Sequence, residues 1–194
     1  HVRATITPRT FRRQTEMVEY FHSELRADHV RFEPVFRAGR AGFTSDLAEE
    51  YAAAFLAARE RAARLGVNLT YAGVRPEEMH GPFCEVSRNA LRLVPGDWAS
   101  ACFLPPARGR TAAELRIGRP DPNGRGFRLE IKAAGEKARA AGRLPPACRE
   151  CVNMYHCSRG CPDRCLIWPG SSPDPGGEFR CRLNRILARA LIVE

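Results

Sequence analysis

The stretch from Cys148 to Cys165 sets the strongest limit on what this chain can become. Within eighteen residues it places Cys148, Cys151, Cys157, Cys161 and Cys165, while Cys84, Cys102 and Cys181 stand far off on either side. Thiols this dense are held by one another or by a metal. The opening residues, His1-Val2-Arg3-Ala4-Thr5, have no secretory layout of basic start, apolar middle and small-residue cleavage site. No run approaches the roughly 18 to 20 apolar residues that a membrane span requires. The chain therefore reads as cytoplasmic, with no membrane partner. That compartment keeps thiols reduced, so a framework of four disulfides gives way to metal as the economical reading.

Charge adds little to this. The net charge is +9, carried mostly by arginines dispersed along the chain and concentrated modestly from Arg9 to Arg13. A dispersed excess more commonly makes a solvated surface than a nucleic-acid site. No aromatic-rich strand signature or finger spacing accompanies it, so no nucleic-acid partner is expected.

From residue 1 to about 75 the pattern alternates strand and helix. Val2 to Thr7 alternates β-branched residues and stops at Pro8; Phe11 to Leu25 carries Met17, Val18, Phe21 and Leu25 at helical spacing; His29 to Val35 reads as a second strand. Asp46 with Glu49 resembles a capping box for a helix through Leu65, Gly66 sits where a C-terminal glycine belongs, and Val67 to Tyr71 is a third strand. Strands alternating with crossover-length helices predict a parallel sheet covered by helices, an α/β unit. Three strands are few for such a unit, and the chain enters the first one directly at His1. The expectation is a fragment whose earlier strands precede it.

Beyond Gly73 the pattern becomes α+β. Ala90 to Val94, the turn Pro95-Gly96-Asp97, and Trp98 to Phe103 predict a β-hairpin flanked by Cys84 and Cys102. Pro105 to Gly126 reads as an irregular connection and Leu129 to Ala141 as a short helix. A last helix, Arg182 to Ile192, has an apolar face of Leu183, Ile186, Leu187 and Leu191, with Cys181 at its start. Residues 73 to 181 offer few continuous apolar stretches. A fold so thinly provided is commonly held by metal, whose binding contributes directly to folding free energy.

Cys148-x2-Cys151 puts two thiolates on one turn, and Cys157 and Cys161 follow after five and three residues. Four thiolates suit zinc or the irons of a cluster equally well. Eight cysteines would fill two such centres with none left over. Zinc ribbons and fingers usually pair short knuckles some distance apart, whereas x2, x5 and x3 here follow without a break.

Taken with Cys84, Gly96 and Cys102 before it and Cys181 after it, this spacing resembles the seven-cysteine signature of the SPASM domain, the C-terminal auxiliary-cluster domain of many radical SAM enzymes. The resemblance covers residues 84 to 181. It departs from the family in having five residues between Gly96 and Cys102 where four are usual, a difference that a one-residue bulge absorbs. It implies two 4Fe-4S clusters, with Cys148, Cys151, Cys157 and Cys181 on the outer one and Cys84, Cys102 and Cys161 on the inner one. Cys165 is the choice for the inner cluster's fourth ligand; His80 and an iron left open to a substrate group are the alternatives. It also implies that residues 1–75 close a partial (β/α) barrel and that residues 76–194 form the cluster domain.

The family's Cys-x3-Cys-x2-Cys motif, which holds the third 4Fe-4S cluster and cleaves S-adenosylmethionine, is absent from these 194 residues. The resemblance therefore implies part of a radical SAM oxidoreductase, acting on a peptide or protein substrate and served by an electron donor such as a flavodoxin or ferredoxin. Two other readings remain open: a non-catalytic zinc-binding structural module with a basic partner-binding surface, and a free-standing electron carrier. His156 reads as a packed neighbour of Cys157 more readily than as a ligand. Gly96 and Gly160 read as backbone turns near the clusters. Tyr155 and Trp168 read as packing residues or shields against water. Asn68-Leu69-Thr70 matches a glycosylation sequon by coincidence, and nothing in the sequence makes Glu130 or Asp163 a general base.

Overall fold

Strand alternation and helical periodicity build the first part of the molecule. The computed structural model describes residues 1–35, 42–79, 91–94, 98–100, 116–130, 146–157 and 175–193. Strands β1 (Val2–Ile6), β2 (His29–Pro34) and β3 (Asn68–Thr70) lie side by side in that order. All are parallel, with Val2 opposite Val30 and His29 opposite Asn68. Helices α1 (Gln14–Ser23) and α2 (Ala48–Arg64) form the two crossovers and pack against each other, so both cover one face of the open sheet. Arg61 Nε ties them by donating to Glu19 Oε1 at 2.7 Å.

On α2 the buried residues Ala48, Tyr51, Ala52, Phe55, Ala58 and Ala62 recur at the helical period and face the sheet. Its C-terminus closes as expected. Gly66 adopts φ +71°, its N–H reaches Ala63 O at 3.1 Å, and Val67 N reaches Ala62 O at 2.9 Å, the paired bonds of a Schellman motif.

Its N-terminus does not close as expected. A 3-10 turn at Ser45–Leu47 leads into the helix, and no side chain caps it. Glu49, expected in a capping box, instead accepts from Arg182 Nε at 2.7 Å. Helix α1 also ends short of its expected length, and this leaves Leu25 53% exposed, off the buried face that Val18 anchors.

The last helix joins this core. Helix α4 (Pro175–Val193) packs on α2 and on the 3-10 turn before it. Phe179, Leu183, Leu187 and Ala188 are buried in the same apolar cluster as Ile6, Val30, Phe32, Tyr51 and Phe55. Phe179 stacks on Phe43 with ring centroids 4.5 Å apart and meets Tyr51 edge-on at 5.6 Å. Burying side chains such as Phe179, Leu183 and Leu187 is worth about 1.5–3 kcal/mol each. The helix begins earlier than expected, so Cys181 lies in its second turn rather than at its start.

A second sheet is antiparallel, in the order β4 (Arg92–Val94), β5 (Trp98–Ser100), β6 (Arg116–Pro120) and β7 (Phe127–Leu129). The first pair is the expected hairpin, with Val94 opposite Trp98. Strand β6 corrects the reading of Pro105 to Gly126 as wholly irregular, and Leu129 ends a strand instead of starting a helix. Residues 131–145, where the rest of that helix was expected, lie outside the described residues. Gly118 in β6 is required by close approach: a Cβ there would stand 2.8 Å from Arg128 O. Ala99 and Ile117 are the buried apolar pair of this sheet among the described residues.

Candidate metal centre

Cys148 lies in the short helix α3 (Pro146–Arg149), which delivers the chain into a series of tight turns. Cys151 N donates to Cys148 O at 3.3 Å, Met154 N to Cys151 O at 3.0 Å and His156 N to Asn153 O at 3.2 Å. These turns hold Cys148 and Cys151 one turn apart and bring Cys157 round to the α/β unit. There Cys157 forms an antiparallel bridge with Val74, just beyond β3. Arg75 N donates to His156 O at 3.2 Å. His156 adds a second tie as its Nδ1 donates to Glu78 O at 2.8 Å.

Cys181 arrives from α4. Residue Asn184, three positions on, shares its side of the helix and is 5% exposed. Its Nδ2 donates to Cys157 Sγ at 3.2 Å, and its main-chain carbonyl accepts from Asn153 Nδ2 at 3.3 Å. Its Oδ1 accepts from the Tyr71 hydroxyl at 2.7 Å. The helix carrying the distant cysteine is thus stitched to the loop carrying the other three.

Burial pushes the Cys181 thiol above its ordinary value; Arg185 opposes this, and the neighbouring Cys157, Cys151 and Glu178 add to the rise. Burial likewise holds the Tyr71 hydroxyl far above its ordinary value, with Arg180 opposing and Glu33 and Cys157 reinforcing. Tyr71 is therefore a protonated donor. Glu33, buried at the end of β2, accepts from Ala72 N at 3.2 Å and pairs with Arg180 at 3.7 Å. Gly73 lies under the Tyr71 ring, where a Cβ would come within 2.3 Å of Tyr71 Cζ.

Cys148, Cys151, Cys157 and Cys181 all lie outside disulfides and have intermediate exposure. They are the set that the resemblance to the SPASM domain assigns to one centre. Among the described residues no three His, Cys, Asp or Glu side chains are drawn in to metal-binding distance of one point. The donor set itself fits a thiolate centre: four sulfurs outside any disulfide, two of them in one Cys-x2-Cys turn, and a side-chain N–H on Cys157. Cys84, Cys102, Cys161 and Cys165 lie outside the described residues, as do His80, Gly96, Gly160, Asp163 and Trp168. Tyr155 is 55% exposed.

Sequence reasoning missed Tyr71, Val74, Asn153 and Asn184. Glu33 and Gly73 escaped it too. An isolated asparagine in an apolar helical face was the available signal for Asn184.

Compared with models of protein families, with curated proteins and with solved structures, the chain matches none. Among the described residues no helix is long and apolar enough to cross a membrane.

Proposed function

We propose that this chain is the auxiliary-cluster region of a radical SAM enzyme. Its eight cysteines would hold two 4Fe-4S clusters: Cys148, Cys151, Cys157 and Cys181 on one, and Cys84, Cys102, Cys161 and Cys165 on the other. The observation that supports this best is the hydrogen bond from Asn184, three residues after Cys181 on α4, to Cys157 Sγ at 3.2 Å, which ties the helix of the distant cysteine to the cysteine run. Such clusters supply one-electron transfer or an open iron for a substrate group. The chain's own part is positional. Val74 and Glu78 anchor the loop, α4 is docked by its apolar face, and Tyr71 and Asn184 present an N–H to one sulfur.

The substrate class in this reading is a peptide or protein side chain. An acidic flavodoxin or ferredoxin suits the exposed side of α4, where Arg182, Arg185 and Arg189 line an open groove. Arg185 Nε reaches Cys181 O at 3.4 Å, which puts that groove beside the centre. In the frame upstream of His1 the reading expects Cys-x3-Cys-x2-Cys.

Anaerobic expression and reconstitution with iron and sulfide tests the proposal. About eight irons per chain with absorption near 400 nm, falling to about four in Cys148→Ala and in Cys84→Ala, is the expected result. Zinc without visible absorption would overturn it and leave a structural metal module.

A further inference from the structure

We infer that Asn184, oriented by Tyr71, raises the reduction potential of the centre that Cys157 ligates by donating its side-chain N–H to that sulfur. The inference rests on the thiolate-centre reading above and goes beyond it by assigning residues that are not ligands.

Position 184 lies between Leu183 and Leu187 on the buried face of α4, where an apolar side chain would pack without the cost of burying an amide. The amide there has both its polar atoms in use. Oδ1 takes the Tyr71 hydroxyl hydrogen at 2.7 Å, and Nδ2 is left facing Cys157 Sγ at 3.2 Å. Turning the amide over would set its oxygen against the sulfur, lone pair to lone pair, and would forfeit the Tyr71 donor. Tyr71 cannot easily yield. It is 4% exposed, meets Phe55 edge-on at 6.2 Å, and has its ring over Gly73.

An N–H aimed at a ligand sulfur stabilises the form with more negative charge. Adding one electron to a thiolate centre puts part of the new charge on its sulfurs, so the bond strengthens on reduction and the potential rises. The buried setting enlarges the effect, because little water competes. Tyr71 acts through Asn184 and is a positioning residue. The couple is a single electron taken, in the titration, from dithionite; no bond forms or breaks, and Asn184 keeps its proton.

The test is a dithionite titration of the reconstituted protein, followed by electron paramagnetic resonance, for the parent, Asn184→Leu and Tyr71→Phe. With iron counts equal to the parent's, Asn184→Leu is expected to make reduction of one of the two centres about tenfold less favourable, a fall of about 59 mV. The other centre should not move, which a general loosening of the fold would not reproduce. Tyr71→Phe should shift the same centre in the same direction by less. Full iron with unmoved potentials in both variants overturns the inference alone. If Asn184→Leu takes up no iron, Tyr71→Phe decides, a shift supporting the inference and an unmoved potential overturning it. A parent protein that takes up no iron sinks the underlying reading and the inference with it, an outcome distinct from the others.

Discussion

Val74, 3% exposed at the end of the first sheet, is bridged through its backbone to Cys157, the third cysteine of the run that most constrains this sequence. Through this bridge the placement of the thiols depends on residues of the α/β unit that carry no sulfur. The first prediction concerns Gly73, next to it. A methyl group there meets the Tyr71 ring at 2.3–2.5 Å, and the rigid ring has Phe55 and Asn184 beyond it. Gly73→Ala should therefore destabilise the protein by about 1–3 kcal/mol, the usual cost of overpacking. Urea unfolding measures it. An unchanged midpoint would mean that Tyr71 is freer than its packing indicates.

Phe179 tests the docking of α4. It is 1% exposed and stacked on Phe43, two residues before Cys181. Phe179→Ala should cost about 3–5 kcal/mol of global stability. Thermal unfolding of the metal-free protein gives the value without interference from the centre. A loss below about 1 kcal/mol would show α4 to be held mainly by its polar ties.

The α/β unit was legible because its strands alternate apolar and polar residues and each helix has a single apolar stripe. The hairpin was legible from Pro95-Gly96-Asp97. Strand β6 was not, since Arg116-Ile117-Gly118-Arg119-Pro120 has one strong strand former and a glycine and proline that normally argue against a strand. Gly118 is there for the close approach of Arg128 O, which only the partner strand reveals. The capping box failed because Glu49 found an arginine on α4, far away in sequence. At the candidate site, spacing singled out the run Cys148, Cys151, Cys157 and Cys161 and only the family resemblance added Cys181, while Tyr71 and Asn184 are joined by a hydrogen bond that leaves no local pattern in the sequence.

The turn between β6 and β7 carries a pH dependence. Asp121 accepts from Arg128 Nε and from Asn123 N, both at 2.8 Å. The Arg128 bond first, then the Asn123 bond, hold its carboxyl below the ordinary value. A carboxyl held low in the folded chain contributes stability above its unfolded value, and that contribution is lost as pH falls through the folded one. The carboxylate is partly exposed at the surface, so the effect is local to the turn. A carboxyl-carbon NMR titration should place the Asp121 midpoint below that of an unperturbed aspartate, and Arg128→Ala should move it upward. A midpoint indifferent to Arg128 would remove the ion pair as the cause.

Cys181 separates the contribution of the centre from that of the fold. In the metal-free protein its half-buried side chain is small and Cys181→Ala should cost less than about 1 kcal/mol, within the range of substitutions away from a core. In the reconstituted protein the same change would remove the proposed ligand that joins α4 to the 148–157 loop, and metal binding at such a site contributes folding free energy. The melting temperature should then fall by roughly 4–8 °C for a loss of about 2 kcal/mol in a chain of this size. Chelating the iron from the parent should produce a fall of similar size, and Cys181→Ala should add little to it. The comparison needs four melting curves, parent and variant, each with and without metal. Equal losses with and without metal would mean that Cys181 stabilises α4 by packing alone, and a fourth ligand for the centre would have to be found elsewhere.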